Sequence, residues 1–335
     1  MGNHYLSNII LRIQCNVTLI NRGGEIMLNE KTCKHNHNHH CKKEKNKSRD
    51  WSKVSYAGET LTPDAEEPNA SSWPLYYFKK TKHNTYEDKY GKPINFKIRV
   101  PDHTFDFEGE QLRMVKKAKK NLTDRKKKIA KYWGDGPATK QWTPIIDILI
   151  DTYGISAPRA ARILATTNSA FNDAFIIAWD YKFKWKVLRP NQIDQHFKSL
   201  LCMPRHPSYP SGHATIAGCA EVVLGYYFKP EKDKLKGLAE ECAKSRLYAG
   251  VHFPIDNDEG LELGRDIGRM IVKELKKHTS DCNTIIDYEI KEYKDAKLIP
   301  PPYKQAIPYD RDTTCKSSTI EYKPCNHYGD CNKLF

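Results

Sequence analysis

The sequence predicts an all-α protein organised around a helical bundle. Apolar residues recur at helical spacing through residues 109–278. That region shows neither an alternation of strands with helices nor an internal repeat, which argues against a parallel α/β sheet and a repeat array. The segments on either side are rich in Pro, Asn, Tyr and charged residues, so we expect them to be irregular.

The candidate helices span residues 109–133, 141–153, 156–184, 212–228, 231–249 and 258–277. The first follows acidic residues at 106–110, which suit a helix N-terminus. The third is long, rich in Ala and mostly apolar, and is predicted to be the buried central helix. Pro190 and three prolines between residues 204 and 210 break the chain before the fourth helix.

Four segments follow from these patterns: a basic, His-rich disordered tail at 1–55, an irregular strap with short extended pieces at 56–108, a helical domain at 109–278 and an irregular C-terminal tail at 279–335. The first segment holds side chains that could bind a soft or borderline metal, namely Cys33, His35, His37, His39, His40 and Cys41. We favour adventitious affinity, because nothing nearby would orient such ligands by hydrogen bonding.

The formal net charge is +14, and basic residues concentrate in the first 55 positions and at 115–133. Neither run interleaves aromatic residues, so we interpret both as solvated surface and expect no nucleic-acid partner. No segment reaches the ~18 uncharged apolar residues of a membrane span, and the N-terminus lacks a secretory pattern. These features predict a cytoplasmic protein without a membrane span, and they are compatible with a homo-oligomer.

Ten cysteines are scattered without C-x-x-C spacing. Cys219 and Cys242 lie in helical patterns and are predicted to be small core residues. We expect reduced thiols rather than a disulfide framework.

Three short blocks carry the candidate chemistry, and the first is "KFKWKVLRP", with Lys182 seven residues before Arg189. On one helix this spacing places both side chains on the same face, about 10.5 Å apart along the axis. Basic residues on a helix usually form a solvated face, but the neighbours here are apolar. Two long cationic side chains could then converge on one anion.

The second block is "PSGH", directly before an apolar run. Ser211 is a good N-cap, and Gly212 lets a ligand approach the free amide groups. A helix N-terminus with unpaired N–H groups is an anion site. His213, one residue into the helix, would reach over that anion.

The third block, "SRLYAGVHFPID", contains Arg246, His252 and Asp256. Gly250 permits a turn, and Pro254 suits the first turn of a helix. A carboxylate four residues from a histidine can accept a hydrogen bond from its Nδ1–H, which fixes the tautomer and raises the basicity of Nε2.

Taken together, the blocks supply three cations, a serine hydroxyl, a glycine amide and two imidazoles. This set predicts a cage for a tetrahedral oxyanion with two acid/base groups. A serine hydrolase would not need three cations, and its G-x-S-x-G motif is absent. We therefore interpret Ser211 as a donor rather than a nucleophile.

In this order, K-x6-R-P, P-S-G-H and S-R-x5-H-x3-D resemble the signature of the type 2 phosphatidic acid phosphatase (PAP2) and vanadium-dependent haloperoxidase superfamily, whose fold is a helical bundle. The resemblance covers about residues 110–278 and marks 109–278 as the catalytic domain. It implies that the oxyanion is bound by Lys182, Arg189, Ser211, Gly212, Arg246 and His252. It also implies that His252 is the phosphorylated nucleophile or axial vanadium ligand, that Asp256 orients it, and that His213 is the general acid/base.

Within the superfamily, "AFIIAWDYKFKWKVLRP", with Trp179 before Lys182, looks like the haloperoxidase version. At the position of His206, this chain resembles algal bromoperoxidases, whereas chloroperoxidases carry an aromatic residue there. The resemblance implies that Trp179 and His206 surround the cage. The resemblance implies a soluble haloperoxidase of the bacterial type that binds vanadate and uses halide and hydrogen peroxide, with Lys182 stabilising charge on the peroxide.

Two alternatives stay open, because phosphate and vanadate have nearly the same shape and charge. One is a soluble acid phosphatase that hydrolyses phosphate esters through a phosphohistidine and needs no cofactor. The other is a non-enzymatic oxyanion binder or basic interaction protein, which would bind nucleic acid with a steep salt dependence.

Overall fold

A computed structural model describes residues 49–308 and 315–319, and it confirms the predicted all-α fold. The helices are α1 (Leu112–Lys120), α2 (Asp124–Gly134), α3 (Trp142–Tyr153), α4 (Ala157–Trp185), α5 (Pro190–Ile193), α6 (Gly212–Tyr227), α7 (Lys232–Ala249) and α8 (Pro254–Leu275). The only sheet among these residues is small and antiparallel, with β1 (Phe78–Lys80), β2 (Tyr86–Asp88) and β3 (Pro93–Ile94) in that order. The predicted Cys/His metal-binding group at 33–41 lies outside the described residues.

The predicted helix at 109–133 is wrong, because the chain forms two helices there. α1 ends at Lys120, and Thr123 caps α2 by accepting a hydrogen bond from the Lys126 amide at 3.3 Å. Asn121 and Thr123 favour helix ends over helix interiors, since their side chains compete for backbone hydrogen bonds. The last predicted helix also begins earlier than residue 258, because Pro254 starts α8 in the first-turn position that suits proline.

The predicted helix at 156–184 is confirmed as α4, but 11 of its 29 residues are buried against 12 of the 16 in α6, so α6 is the central helix. α4 packs against α6, and α6 in turn packs closely on α8. A side chain at Gly264 would place its Cβ 2.0 Å from the Thr215 carbonyl oxygen, so glycine is required where α6 and α8 cross. This close approach brings the start of α6 to the first turn of α8, where the Ser211 amide donates to the Asp256 carbonyl at 2.8 Å.

The strap is attached to α4 by a buried carboxylate. Asp173 accepts hydrogen bonds from the Tyr76 and Tyr77 amides at 2.9 and 2.8 Å. One turn from the end of α4, Asp180 accepts from Lys80 at 2.6 Å and from the Tyr86 hydroxyl at 2.9 Å. The three short strands are the extended pieces expected from the sequence, and their position beside α4 is set by these two aspartates.

The expectation of fully reduced cysteines is wrong, because Cys202 and Cys315 form a disulfide. Residues 315–319 lie along residues 199–202, where the Ser199 amide donates to the Ser317 carbonyl at 3.1 Å and the Thr319 amide donates to the Ser199 carbonyl at 2.9 Å. Cys219 and Cys242 are free and buried, as expected. None of the helices in the described ranges is both long and apolar enough to cross a bilayer.

Candidate active site

The first cation of the site, Lys182, lies in the last turn of α4. Lys182 is fully buried, and its ammonium donates to the carbonyl oxygens of Pro207 and Ser208 at 2.8 and 3.0 Å. The prediction that Lys182 and Arg189 share a helix face is wrong, because α4 ends at Trp185 and Lys186 adopts a left-handed conformation with φ 48°. The two cations converge through this turn rather than along a helix.

Arg189 links two of the predicted blocks. It is an extended residue at the start of α5, and its guanidinium is fully buried. Nη1 donates to the Val251 carbonyl at 2.6 Å and lies 3.1 Å from Nε2 of His252. Nε donates to the His206 carbonyl at 2.9 Å, and Nη2 lies 3.0 Å from Nδ1 of His206.

The N-terminus of α6 faces these side chains. Ser211 is the N-cap as predicted, and its hydroxyl oxygen accepts from the Ala214 amide at 3.4 Å, which leaves the hydroxyl hydrogen to donate. A Cβ on Gly212 would lie 3.6 Å from the Trp179 ring and 3.8 Å from Cε of Lys182. The start of α6 therefore lies next to the Lys182 side chain.

Arg246, in the last turn of α7, is the third buried cation. Its Nη2 donates to the Ala130 carbonyl at 3.0 Å, and its Nε lies 3.0 Å from the Ser245 hydroxyl. A Cβ on Gly134 would lie 2.5 Å from Nη2, so only glycine leaves room for the guanidinium. Sequence reasoning missed Gly134, since a glycine at the end of a helix is usually a cap.

His252 and Asp256 make the predicted contact, with Nδ1 2.9 Å from Oδ2. The same carboxylate oxygen accepts from the Ser208 hydroxyl at 2.5 Å and from the Phe253 amide at 3.0 Å. Because an ionised carboxylate only accepts, Nδ1 of His252 carries the hydrogen and Nε2 presents its lone pair. Ser208 is a second residue that the sequence did not reveal.

The electrostatics of the site favour neutral imidazoles. Burial, followed by the charges of the neighbouring Lys and Arg side chains, lowers the pKa of His206, His213 and His252 well below the usual 6.5. A bound anion would offset the positive charges and raise these pKa values. Protonation of the imidazoles is thus coupled to anion binding.

The remaining titratable groups at the site are buried too. Burial and the charge of Arg189 lower the pKa of Lys182 well below 10.5. Burial raises the pKa of Asp256 to about 6, while the hydrogen bonds from Ser208 and Phe253 act in the opposite direction. Cations and neutral imidazoles held this close to each other are complementary to an anion with several oxygens, such as phosphate or vanadate.

Trp179 and His206 lie beside the cations, with the Trp179 ring 5.9 Å from the Lys182 ammonium. Their ring centroids are 4.6 Å apart, and His206 contacts Arg189 directly. The Trp179 indole nitrogen donates to the Glu67 carbonyl of the strap at 3.1 Å.

A cavity of about 780 Å³ leads from the surface to these residues. Gly212, His213, His206 and Arg246 line one part of it, and Glu66 and Glu67 of the strap line another. Nε2 of His213 is buried and has no hydrogen-bond partner among the described residues. His213 therefore contributes a buried imidazole to the lining of the cavity.

The described residues form a helical bundle with a buried centre lined by cationic and imidazole side chains. Residues 162–278 match the sequence profile of the PAP2 superfamily. The similar proteins described below are a diphosphatase and two haloperoxidases. The three predicted blocks, from Lys182 to Asp256, all lie within the matched range.

Similar proteins come from both branches. The undecaprenyl-diphosphatase of Sulfolobus acidocaldarius is 30% identical over 134 residues, which are 39% of this chain and 62% of that protein. A bacterial vanadium-dependent iodoperoxidase superposes with a TM-score of 0.53 at 22% identity, covering 65% of this chain and 59% of that one. A bacterial vanadium-dependent chloroperoxidase superposes with a TM-score of 0.52 at 18% identity, covering 69% of this chain and 63% of that one. The chain therefore spans less than two thirds of each, and the two structures show a shared fold.

Proposed function

We propose that the chain is a vanadate-dependent haloperoxidase that oxidises halide with hydrogen peroxide. The observation that carries this proposal is the third imidazole at the cage. One guanidinium, that of Arg189, contacts both Nε2 of His252 at 3.1 Å and Nδ1 of His206 at 3.0 Å. A phosphohistidine cycle needs one nucleophilic and one acid/base imidazole, so His206 is surplus to it, whereas peroxide chemistry involves further proton transfers.

The residues present fit vanadate. Its oxygens would be held by Lys182, Arg189, Ser211, Gly212 and Arg246. Nε2 of His252 would face the central atom, because Asp256 keeps the hydrogen on Nδ1. When bound, vanadate supplies a Lewis acid that activates peroxide without a change in metal oxidation state.

The side chains around the cage have separate tasks. Nε2 of His213 takes a proton from the incoming peroxide and returns one later. Lys182 donates to the oxygen on which negative charge develops, a contribution that typically amounts to about 10²–10³ in rate. The ring of His206 packs on Trp179, and its protonation state tunes the charge felt by Arg189.

A second candidate is hydrolysis of phosphate esters, which the 30% identity to an undecaprenyl-diphosphatase favours. Nε2 of His252 would attack phosphorus and the bond to the leaving oxygen would break, with His213 giving that oxygen its proton. A water deprotonated by His213 would then attack the phosphohistidine, break the N–P bond and release phosphate. The substrate's negative charge would raise the pKa of His213 enough for the first step.

One experiment separates the two. The purified protein is assayed for bromination of a phenol by peroxide and bromide, and for hydrolysis of a phosphate monoester, each with and without orthovanadate. We expect bromination that saturates with vanadate and slow hydrolysis that vanadate inhibits. Fast ester hydrolysis with no halide oxidation at any pH from about 5 to 8, the range of histidine titration, would establish the phosphatase instead.

A further inference from the structure

The strap side of the cavity is acidic, whereas the cage is cationic. Glu66 and Glu67 line the same cavity as His213 and Arg246, and both glutamates are exposed. Within the described ranges, neither forms an ion pair, unlike Glu59, which pairs with Arg205 at 2.7 Å. The chain has a net charge of +14, so two carboxylates without an ion pair give this edge of the cavity a charge opposite to that of the whole chain.

The backbone that carries the two carboxylates is held in place. The Trp179 indole donates to the carbonyls of Glu67 and Glu66 at 3.1 and 3.4 Å, and the Glu66 amide donates to the Arg205 carbonyl at 2.8 Å. Glu67 has a left-handed backbone with φ 44°, which costs a non-glycine residue about 1 kcal/mol or more. A strained residue tied to the aromatic wall of the cage is fixed at the cavity edge.

Aromatic side chains continue from these glutamates toward the cage. Trp73 is 49% exposed and lines the cavity together with Phe175 and Trp179. Aromatic faces attract organic cations, and nearby carboxylates add to this attraction while repelling anions. Burial lowers the pKa of the Arg189 guanidinium, and acidic groups that include Glu66 act in the opposite direction, so the charge of Glu66 reaches the cage.

From this arrangement we infer that Glu66 and Glu67 determine specificity: they admit neutral and cationic phenols to the cavity and disfavour anionic ones. The inference rests on the proposed peroxidase function and names its organic substrate class. It requires that the phenol reacts inside the cavity rather than with an oxidant that has diffused away.

The test compares tyramine with 4-hydroxyphenylacetate, two phenols of similar size and opposite charge. Bromination in competition is measured for the wild type, the Glu66→Gln/Glu67→Gln double variant and Asp64→Asn. Asp64 is a matched control, because it is an exposed acid of the same segment that lines only the adjacent groove. We expect the wild type and Asp64→Asn to prefer tyramine, and the double variant to lose about threefold to tenfold of that preference.

A binding measurement keeps this inference separate from the proposed activity. Titration of the protein alone with each phenol, followed by tryptophan fluorescence, should show tighter binding of tyramine in the wild type, and the difference should shrink in the double variant and at high salt. Absence of bromination in every protein would reject the peroxidase, while the titration would still decide the charge preference. Identical product ratios in all three proteins, or equal binding of both phenols, would overturn the inference.

Discussion

The cage and the acidic edge of the cavity differ in how their charges are held. Lys182 and Arg189 are fully buried and donate to backbone carbonyls, whereas Glu66 and Glu67 are exposed and fixed only through their own backbone. Buried charges interact strongly with a ligand because little water screens them, and exposed charges interact weakly. Affinity and chemistry should therefore depend on the cage, and selectivity on the edge.

The largest effect is expected at His252. His252→Ala removes the nitrogen that would face the central atom in our proposal, so vanadate-dependent turnover and any covalent phospho-intermediate should be lost. Activity assays and isothermal titration with vanadate measure both consequences. Asp256→Asn, which keeps the size of the side chain at the partner position, should retain weak vanadate binding. A His252→Ala protein with near-normal turnover would contradict the assignment.

His213 should affect rate without affecting binding. His213 lines the cavity, and its buried Nε2 has no partner among the described residues, so His213→Ala should keep vanadate bound and lose about 10²–10⁴ in turnover. His213→Gln serves as a control for size. If either variant lost vanadate affinity while keeping its rate, His213 would be a binding residue.

Loss of one cation from the cage should weaken anion binding, and by a smaller factor than the loss of turnover expected for the histidine variants. Charge-assisted hydrogen bonds contribute about 1.5–3 kcal/mol each, so Lys182→Ala and Arg246→Ala should each weaken vanadate or phosphate binding about ten- to a hundredfold or more. The matched control is Arg265→Ala, because Arg265 pairs with Glu221 at 2.8 Å in a separate cluster. Unchanged affinity in both cage variants would rule out the cage.

The buried imidazoles should make the stability of the protein depend on pH. Because folding lowers their pKa values, the unfolded chain binds more protons below pH ~6.5, and the free energy of unfolding should fall on acidification by about 1.4 kcal/mol per pH unit for each imidazole. Asp256, with its pKa raised to about 6, acts in the opposite sense and loses its contribution as pH rises toward 6. Burial also raises the pKa values of Asp173 and Asp258, which act in the same sense as Asp256, and lowers that of His278, which acts with the buried imidazoles. The imidazoles begin to contribute at pH ~6.5, above the pKa of about 6 of Asp256, so the slope just below pH 6.5 should have their sign.

Urea denaturation at pH 7.5, 6.5 and 5.5 measures this slope. Added phosphate should flatten it, because a bound anion raises the imidazole pKa values. A free energy of unfolding that increases between pH 7.5 and 5.5 would show that the imidazoles are already protonated in the folded protein.

The smallest effect on affinity is expected at His206, which contacts Arg189 but belongs to the aromatic wall. His206→Phe keeps a ring against Trp179 and removes a titrating group, so vanadate affinity should stay nearly unchanged while the pH optimum of bromination shifts. The pH profile of kcat is the measurement. An unaltered profile with lowered affinity would make His206 a binding residue instead.

The sequence predicted the helical bundle. It also predicted that Lys182, Arg189, His252 and the start of α6 would lie close together. The reason it offered for the first pair was wrong, since a left-handed residue at Lys186 ends the helix between them. Local patterns indicate which residue types can bind an anion, but they do not reveal contacts made by distant segments. Gly134 and Ser208 become part of the site only when α2 meets α7 and the loop before α6 meets α8.

The break between α1 and α2 was readable in principle. Asn121 and Thr123 are residues that often cap helices. The lysines on either side favour helix, so the pattern of the segment as a whole indicated one continuous helix. The acidic edge could not be predicted, because its position depends on two aspartates of α4 that bind the strap across about a hundred residues of sequence.

The disulfide between Cys202 and Cys315 has a consequence for cooperativity. Cys202 lines the cavity. Two residues before it, the Leu200 amide donates to the Ala249 carbonyl at 2.8 Å, and Ala249 is three residues before His252. A cross-link spanning 113 residues removes about 4–5 kcal/mol of chain entropy from the unfolded state by the loop-closure relation. Oxidised protein should therefore exchange the amide hydrogens of 199–202 and 249–252 as one slow unit, and reduction should let the first group open independently of the second.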